Sequence, residues 1–179
     1  MSKAALLYDL RKQTGSLALN DKDLLSAPHF SSGVAVGCVA ELLGNARIDW
    51  LIDFFKMHPE SFIFWCKSEA QINPQALLQR GINLDRIKFV NAAADTQQIL
   101  RIAFESQLYP FIVAPNRFDE IKIFQRLSLL AEKSKSILFL LAQKNFSQAW
   151  PIALQLEINN GDQTQYDIFV HKQKHGLNE

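Results

Sequence analysis

The pattern of apolar and polar positions changes at Val34. Before it, residues 3–13 place Leu6, Leu7 and Leu10 on one helical face, and Thr14-Gly15 ends the pattern. This predicts a short amphipathic helix. A polar stretch follows to about Gly33, with a short strand at Ser16–Leu19 and breakers at Ala27-Pro28, Ser31-Ser32 and Gly33. It reads as a linker between an N-terminal arm and the main body.

From Val34 onward, short apolar runs alternate with amphipathic segments. The run ending at Leu43 is followed by SFIFWC (61–66), IKFV (87–90), FIVA (111–114) and SILFLLA (136–142). These are apolar on both faces, as strands are when helices cover both sides of a sheet. Within 46–57, Ile48, Leu51, Ile52 and Phe55 follow helical spacing. Asn73-Pro74 opens a second helix that Gly81 closes. Asp95 is placed to cap a third, which carries Ile99, Leu100, Ala103 and Phe104. A fourth, from about Phe118 to Lys133, buries Ile121, Phe124, Leu127 and Ala131. Near the end, ALQLEI (153–158) and TQYDIFVH (164–171) alternate apolar and polar residues. Asn159-Asn160-Gly161-Asp162 between them signals a hairpin. The predicted fold is α/β: a mainly parallel sheet with helices on both faces, a C-terminal antiparallel hairpin and an N-terminal helical arm. The expected organisation is arm and linker over 1–32, core with hairpin over 33–171, and a flexible tail over 172–179.

Composition adds limits rather than chemistry. The 179 residues suit one domain with a full core. A net charge of +1 supplies no global field toward nucleic acid or an anionic membrane. Cys38 and Cys66 lie inside apolar runs and are expected as buried free thiols in a reducing cytosol. No apolar run reaches membrane-spanning length, and MSKAALLYDLRKQ lacks a signal-peptide core, so a cytoplasmic location is expected.

The joint between the first core strand and its helix, ELLGNARIDW, is where chemistry would be sought. A phosphate loop works through main-chain N–H groups that wrap the phosphates, a Lys that neutralises them and a hydroxyl on Mg²⁺. Gly44, Asn45, Ala46 and Arg47 are too short a run for that wrap. They offer no Lys-Ser/Thr pair, and Asp49 and Asp53 follow closely. Arg47 and Asp49 also suit a solvated first helical turn, where the helix dipole favours an acid. Glu41 is expected to end its strand and bond nearby backbone. His171 and His175 are spaced i, i+4 but sit on a predicted strand with no third ligand, so no metal is expected. His29 and His58 stand alone, and no Ser has a matching His and Asp. Ser68-Glu69 reads as a loop at a strand end.

The run GVAVGCVAELLG, helix, strand, then QALLQRGINLDRIKFVNAAADTQQILRIAFES and FIVAP resembles the RecA superfamily core, over about residues 33–142. In that family a Gly-x-hydrophobic-x-Glu strand leads into the phosphate loop, and a later strand carries the Mg²⁺ aspartate. LLYDLRKQTGSLAL resembles the family's N-terminal arm, which docks on a neighbouring protomer. The departures are as informative. The phosphate loop is cut at Gly44–Arg47, and Pro115 stands where the aspartate is expected. The segments matching the DNA-contacting loops are short and lack clustered Lys or Arg, so direct nucleic-acid binding is expected to be weak or absent.

A RecA-like core without its ATP site resembles two bacterial groups. One is the ImuA family, partners of an ImuB-type polymerase homologue in mutagenic translesion synthesis. The other is the SulA family, which blocks division by binding FtsZ. Gly33, Gly37, Glu41 and Leu42 fit the ImuA opening better. The resemblance implies a non-catalytic interaction module with no cofactor and a protein partner: the ImuB-type protein, RecA, or in the alternative FtsZ. Leu6, Leu7 and Leu10, with Arg11 and Lys12 at the rim, are the expected contact group. That stripe either folds back on its own domain or docks on a partner or second copy, as a helix in a groove. The rival from another class is an ATPase with an atypical phosphate loop.

Overall fold

The computed structural model describes residues 24–67, 72–91, 95–162 and 165–174. The expected N-terminal helix, the Ser16–Leu19 strand, Ser68-Glu69 and His175 lie outside these residues.

The stretch read as an irregular linker contains a hairpin. Strand β1 (Leu24–Ala27) pairs antiparallel with β2 (Phe30–Ala35), apart from the main sheet. The reversal passes through His29, which holds a left-handed φ of 53°. Histidine is a less usual choice there than Gly or Asn, so Pro28 marks a break in the chain but the residue after it does not announce the turn type. The hairpin is fastened to the body at two points. Trp50 Nε1 donates to the Pro28 carbonyl at 2.7 Å, and His58 Nε2 lies 2.9 Å from the Ser26 carbonyl oxygen.

The main sheet contains β3 (Val39–Leu43), β4 (Ile63–Lys67), β5 (Ile87–Asn91), β6 (Phe111–Pro115), β7 (Ile137–Leu141), β8 (Leu154–Asn160) and β9 (Tyr166–Gln173). Their spatial order is β5-β4-β6-β7-β3-β8-β9. All pairs are parallel except β8 with β9, which is antiparallel. Four helices serve the crossovers: α1 (Arg47–Met57), α2 (Pro74–Gln79), α3 (Thr96–Ser106) and α4 (Ile121–Ser134). Every residue of β6 is buried, as the continuous apolarity of FIVAP requires.

The two faces of the sheet carry separate cores. On one, Trp50, Phe54 and Phe55 of α1 pack with Leu77 of α2 and Val34 of β2. Phe54 meets Phe111 and Phe139 edge-on, with ring centroids 5.2 and 5.3 Å away. On the other, Leu100 and Phe104 of α3 and Phe124 and Leu127 of α4 cover Ile112 and Leu138. Arg86 closes the C-terminal end of α1. Buried itself, it donates to the carbonyls of Phe55, His58 and Ser61; the first two also accept the N–H groups of His58 and Ser61, so Arg86 takes their second acceptor position. Burial lowers its pKa, and the charge of Glu60 opposes that.

Helix α2 begins as its sequence predicts: Asn73 accepts from Gln75 N at 2.9 Å, Pro74 opens the first turn, and Gly81 follows at φ +83°. Elsewhere the boundaries differ. Asp95 occupies the N-cap of α3, but its side chain makes no capping bond. Helix α4 begins at Ile121 rather than near Phe118, whose N–H is instead bonded to Asn116 Oδ1 at 3.3 Å; Phe124, Leu127 and Ala131 are buried as expected, but Ile121 in the first turn is 48% exposed. Asn159 and Asn160 extend β8 instead of forming the turn. Strand β9 runs to Gln173, past Lys172, where a flexible tail is expected. Lys174 N there donates to the Ala153 carbonyl at 2.9 Å, and Lys172 Nζ to Ala149 O at 3.1 Å. Among the described residues, no helix is long and apolar enough to cross a membrane.

Candidate functional site

Ligands of open α/β sheets bind outside the carboxyl ends of the strands. That edge holds a crevice of about 660 Å³, within the range of small-molecule sites. Its walls include Arg47 and Asp49 from the first turn of α1, Trp65 and Cys66 of β4, Arg80 beyond α2, and Pro115 of β6. Arg80 donates to Asp49. Burial pushes the Cys66 thiol up to about 12, and that of Cys38 likewise. Both are free and protonated at neutral pH, so neither offers a thiolate.

The turn from β3 into α1 is closed by β8. Gly44 takes φ +98°, and a Cβ added there would stand 2.1 Å from the Ile158 carbonyl oxygen. Ala46 N donates to that same oxygen at 3.0 Å. Asn45 N donates to Asn159 Oδ1 at 3.3 Å, and Asn160 N returns a bond to Asn45 Oδ1 at 3.0 Å. A main-chain N–H already bonded to β8 is not free to hold a phosphate oxygen. Arg47 is folded onto the same turn. Its Nη1 donates to the Gly44 carbonyl at 2.5 Å, and its Nε is buried without a partner. Farther along α1, Asp53 accepts from Tyr166 Oη at 2.5 Å and from Lys56 at 3.2 Å. Burial, then the bond to Asp53, raise the Tyr166 pKa, so the phenol keeps its proton.

Glu41 is the most constrained polar group. It lies within β3, fully buried, on the face toward α3 and α4. Its oxygens accept from Asn116 Nδ2 at 2.5 Å, from Ser147 N at 3.1 and 3.0 Å, and from Gln155 Nε2 at 2.7 Å. Gln155 also donates to the Ser147 carbonyl at 2.7 Å. One carboxylate thus fastens the segment after β6, the segment after β7, and β8. The sequence expectation of a strand-ending residue bonded to nearby backbone is corrected here: its partners are distant in sequence. Gln155 gave no warning of this, since it falls at a polar position of an alternating strand and only the structure shows it buried.

The structure brings Gly44, Asn45, Ala46 and Arg47 together as one turn. Leu6, Leu7, Leu10, Arg11 and Lys12 lie outside the described residues. His171 lies 2.9 Å from Glu157 across the hairpin. Among the described residues, no group of three His, Cys, Asp or Glu side chains is arranged to hold a metal. No protein-family model matches this chain, and no curated protein matches it.

Proposed function

We propose that this chain is a RecA-like core working as a non-catalytic interaction module of the bacterial DNA-damage response, an ImuA-like subunit that supports mutagenic translesion synthesis in the cytoplasm. The observation that carries the non-catalytic part is the closed turn. The amides of Asn45 and Ala46 are bonded to β8, and Ile158 O occupies the space above Gly44. A triphosphate would have to displace a strand end to reach them. Pro115, at the position matched to the Mg²⁺ aspartate, offers neither charge nor ligand oxygen on its side chain.

Two further features support the reading. From Val39 onward the elements read as RecA-like form parallel strands of one sheet with helices on both faces, while Gly33–Ala35 belong to the separate β1–β2 hairpin. The segments matched to the family's DNA-contacting loops are tied down by Glu41 through Asn116 and Ser147. A tethered loop with few cations is a poor phosphate binder, which favours a protein partner. Affinity-tagged full-length chain, mixed with purified ImuB-type polymerase homologue, RecA and FtsZ, tests the assignment. Retention of the ImuB-type protein or RecA is expected. Retention of FtsZ alone would transfer the chain to the SulA-type reading, and retention of none would contradict the proposal.

A further inference from the structure

Strand β9 is the outermost strand of the sheet among the described residues. Edge strands expose unpaired main-chain groups and are commonly blunted by charge, proline or bulges. The register of β9 slips between the partners of Gln155 and Leu156, so its last residues are irregular. Ahead of that slip, Phe169 and Val170 are 59% and 47% exposed among the described residues, two large apolar side chains in succession on the outermost strand.

The geometry of this edge is self-complementary. Gly161 N donates to the Gln165 carbonyl at 2.9 Å, which fixes the phase of the β8–β9 ladder. In an antiparallel strand alternate residues turn both main-chain groups the same way. Asp167 and Phe169 therefore face β8, while Ile168 and Val170 direct theirs outward. Side chains alternate as well. Ile168 and Val170 stand opposite Ile158 and Leu156 on the α1 face. Asp167, Phe169 and His171 take the other face, where His171 meets Glu157.

A second copy can pair with this edge about a twofold axis normal to the sheet. Opposed residues must then share a face, which restricts the axis to pass at a residue. At Phe169, that residue lies beside the partner's Phe169 and Ile168 faces the partner's Val170, both ahead of the slip at His171. The two Ile168–Val170 pairs have outward main-chain groups and supply about four hydrogen bonds. An axis at Ile168 would oppose Asp167 to Phe169. An axis at Val170 would oppose Ile168 to Lys172 and run into the slip.

We propose that the outer edge of β9 is a self-association surface on which two copies join their sheets antiparallel about Phe169. This goes beyond the interaction role above and does not depend on it, because it uses strand geometry alone. The test uses the full chain. Light scattering after gel filtration is expected to give a dimer mass at about 100 µM that falls toward monomer on dilution, as mass action requires. Phe169→Lys, at an exposed position, is expected to abolish the dimer with the fold intact by circular dichroism. Phe169→Cys is expected to form a disulfide-linked dimer under mild oxidation, since opposed residues in such a pair lie within disulfide reach. Asp167→Cys, on the same face but away from the axis, is expected not to. A monomer at high concentration, a dimer that survives Phe169→Lys, or equal cross-linking of both cysteine variants would overturn the proposal.

Discussion

Glu41→Ala is expected to destabilise the fold by about 3–5 kcal/mol. The side chain is fully buried, and its removal leaves Asn116 Nδ2 and Ser147 N without their acceptor and Gln155 Nε2 with only the Ser147 carbonyl. A buried donor left unmade costs about 1–3 kcal/mol, more than the net gain from an ordinary hydrogen bond. The vacated volume adds a cavity term on the face covered by α3 and α4. Glu41→Gln keeps the shape but turns an amide N–H₂ toward donors, so it is expected to cost less, about 1–3 kcal/mol. Urea unfolding measures both as a fall in midpoint at unchanged slope. The same variant should raise amide exchange after β6 and β7 before global unfolding, because those segments lose their common tether. A loss under about 1 kcal/mol for Glu41→Ala would mean that solvent replaces the carboxylate freely.

Gly44→Ala is expected to be comparably severe for a different reason. The backbone is left-handed at φ +98°, and the new methyl would overlap the Ile158 carbonyl oxygen at 2.1 Å, its carbon at 2.6 Å and the Ile158 nitrogen at 2.8 Å. All three are main-chain atoms of β8, so no side chain can swing aside. Strain and overpacking each cost about 1–3 kcal/mol, and together about 3 kcal/mol or more is expected. Gly81→Ala separates the two contributions. Gly81 has φ +83° with no atom within 4 Å of an added Cβ, so only backbone strain remains. Its expected cost is about 1 kcal/mol. Equal losses at Gly44 and Gly81, read from thermal or urea unfolding, would show that β8 does not clamp the turn.

The layered fold was legible because its signals are local. Strands such as FIVAP and ILFLL announce burial on both faces by continuous apolarity, and Asn73-Pro74 with Gly81 brackets α2 by residue type. The β1–β2 hairpin escaped because Pro28 reads only as a breaker, while the positive φ that completes the reversal falls on His29, which does not advertise it. Helices α3 and α4 likewise end on Gln107 and Lys135 in left-handed conformation, without a glycine to mark them. The candidate site was legible only as a deficiency. That the turn at Gly44 lacks a Lys and a hydroxyl is visible in the sequence. That its amides are bonded to Ile158 and Asn159 is not, because those partners come from a strand more than a hundred residues later. The Glu41 tether spans comparable separations, 75 residues to Asn116 and 106 to Ser147.

The closed turn leads directly to one measurement, calorimetric titration of the full chain with ATP and Mg²⁺. The account predicts no saturable heat up to millimolar nucleotide, because the main-chain donors and the Arg47 cation are already engaged at Gly44 and Ile158. Saturable binding at millimolar concentration or tighter, lost on Arg47→Ala, would contradict it.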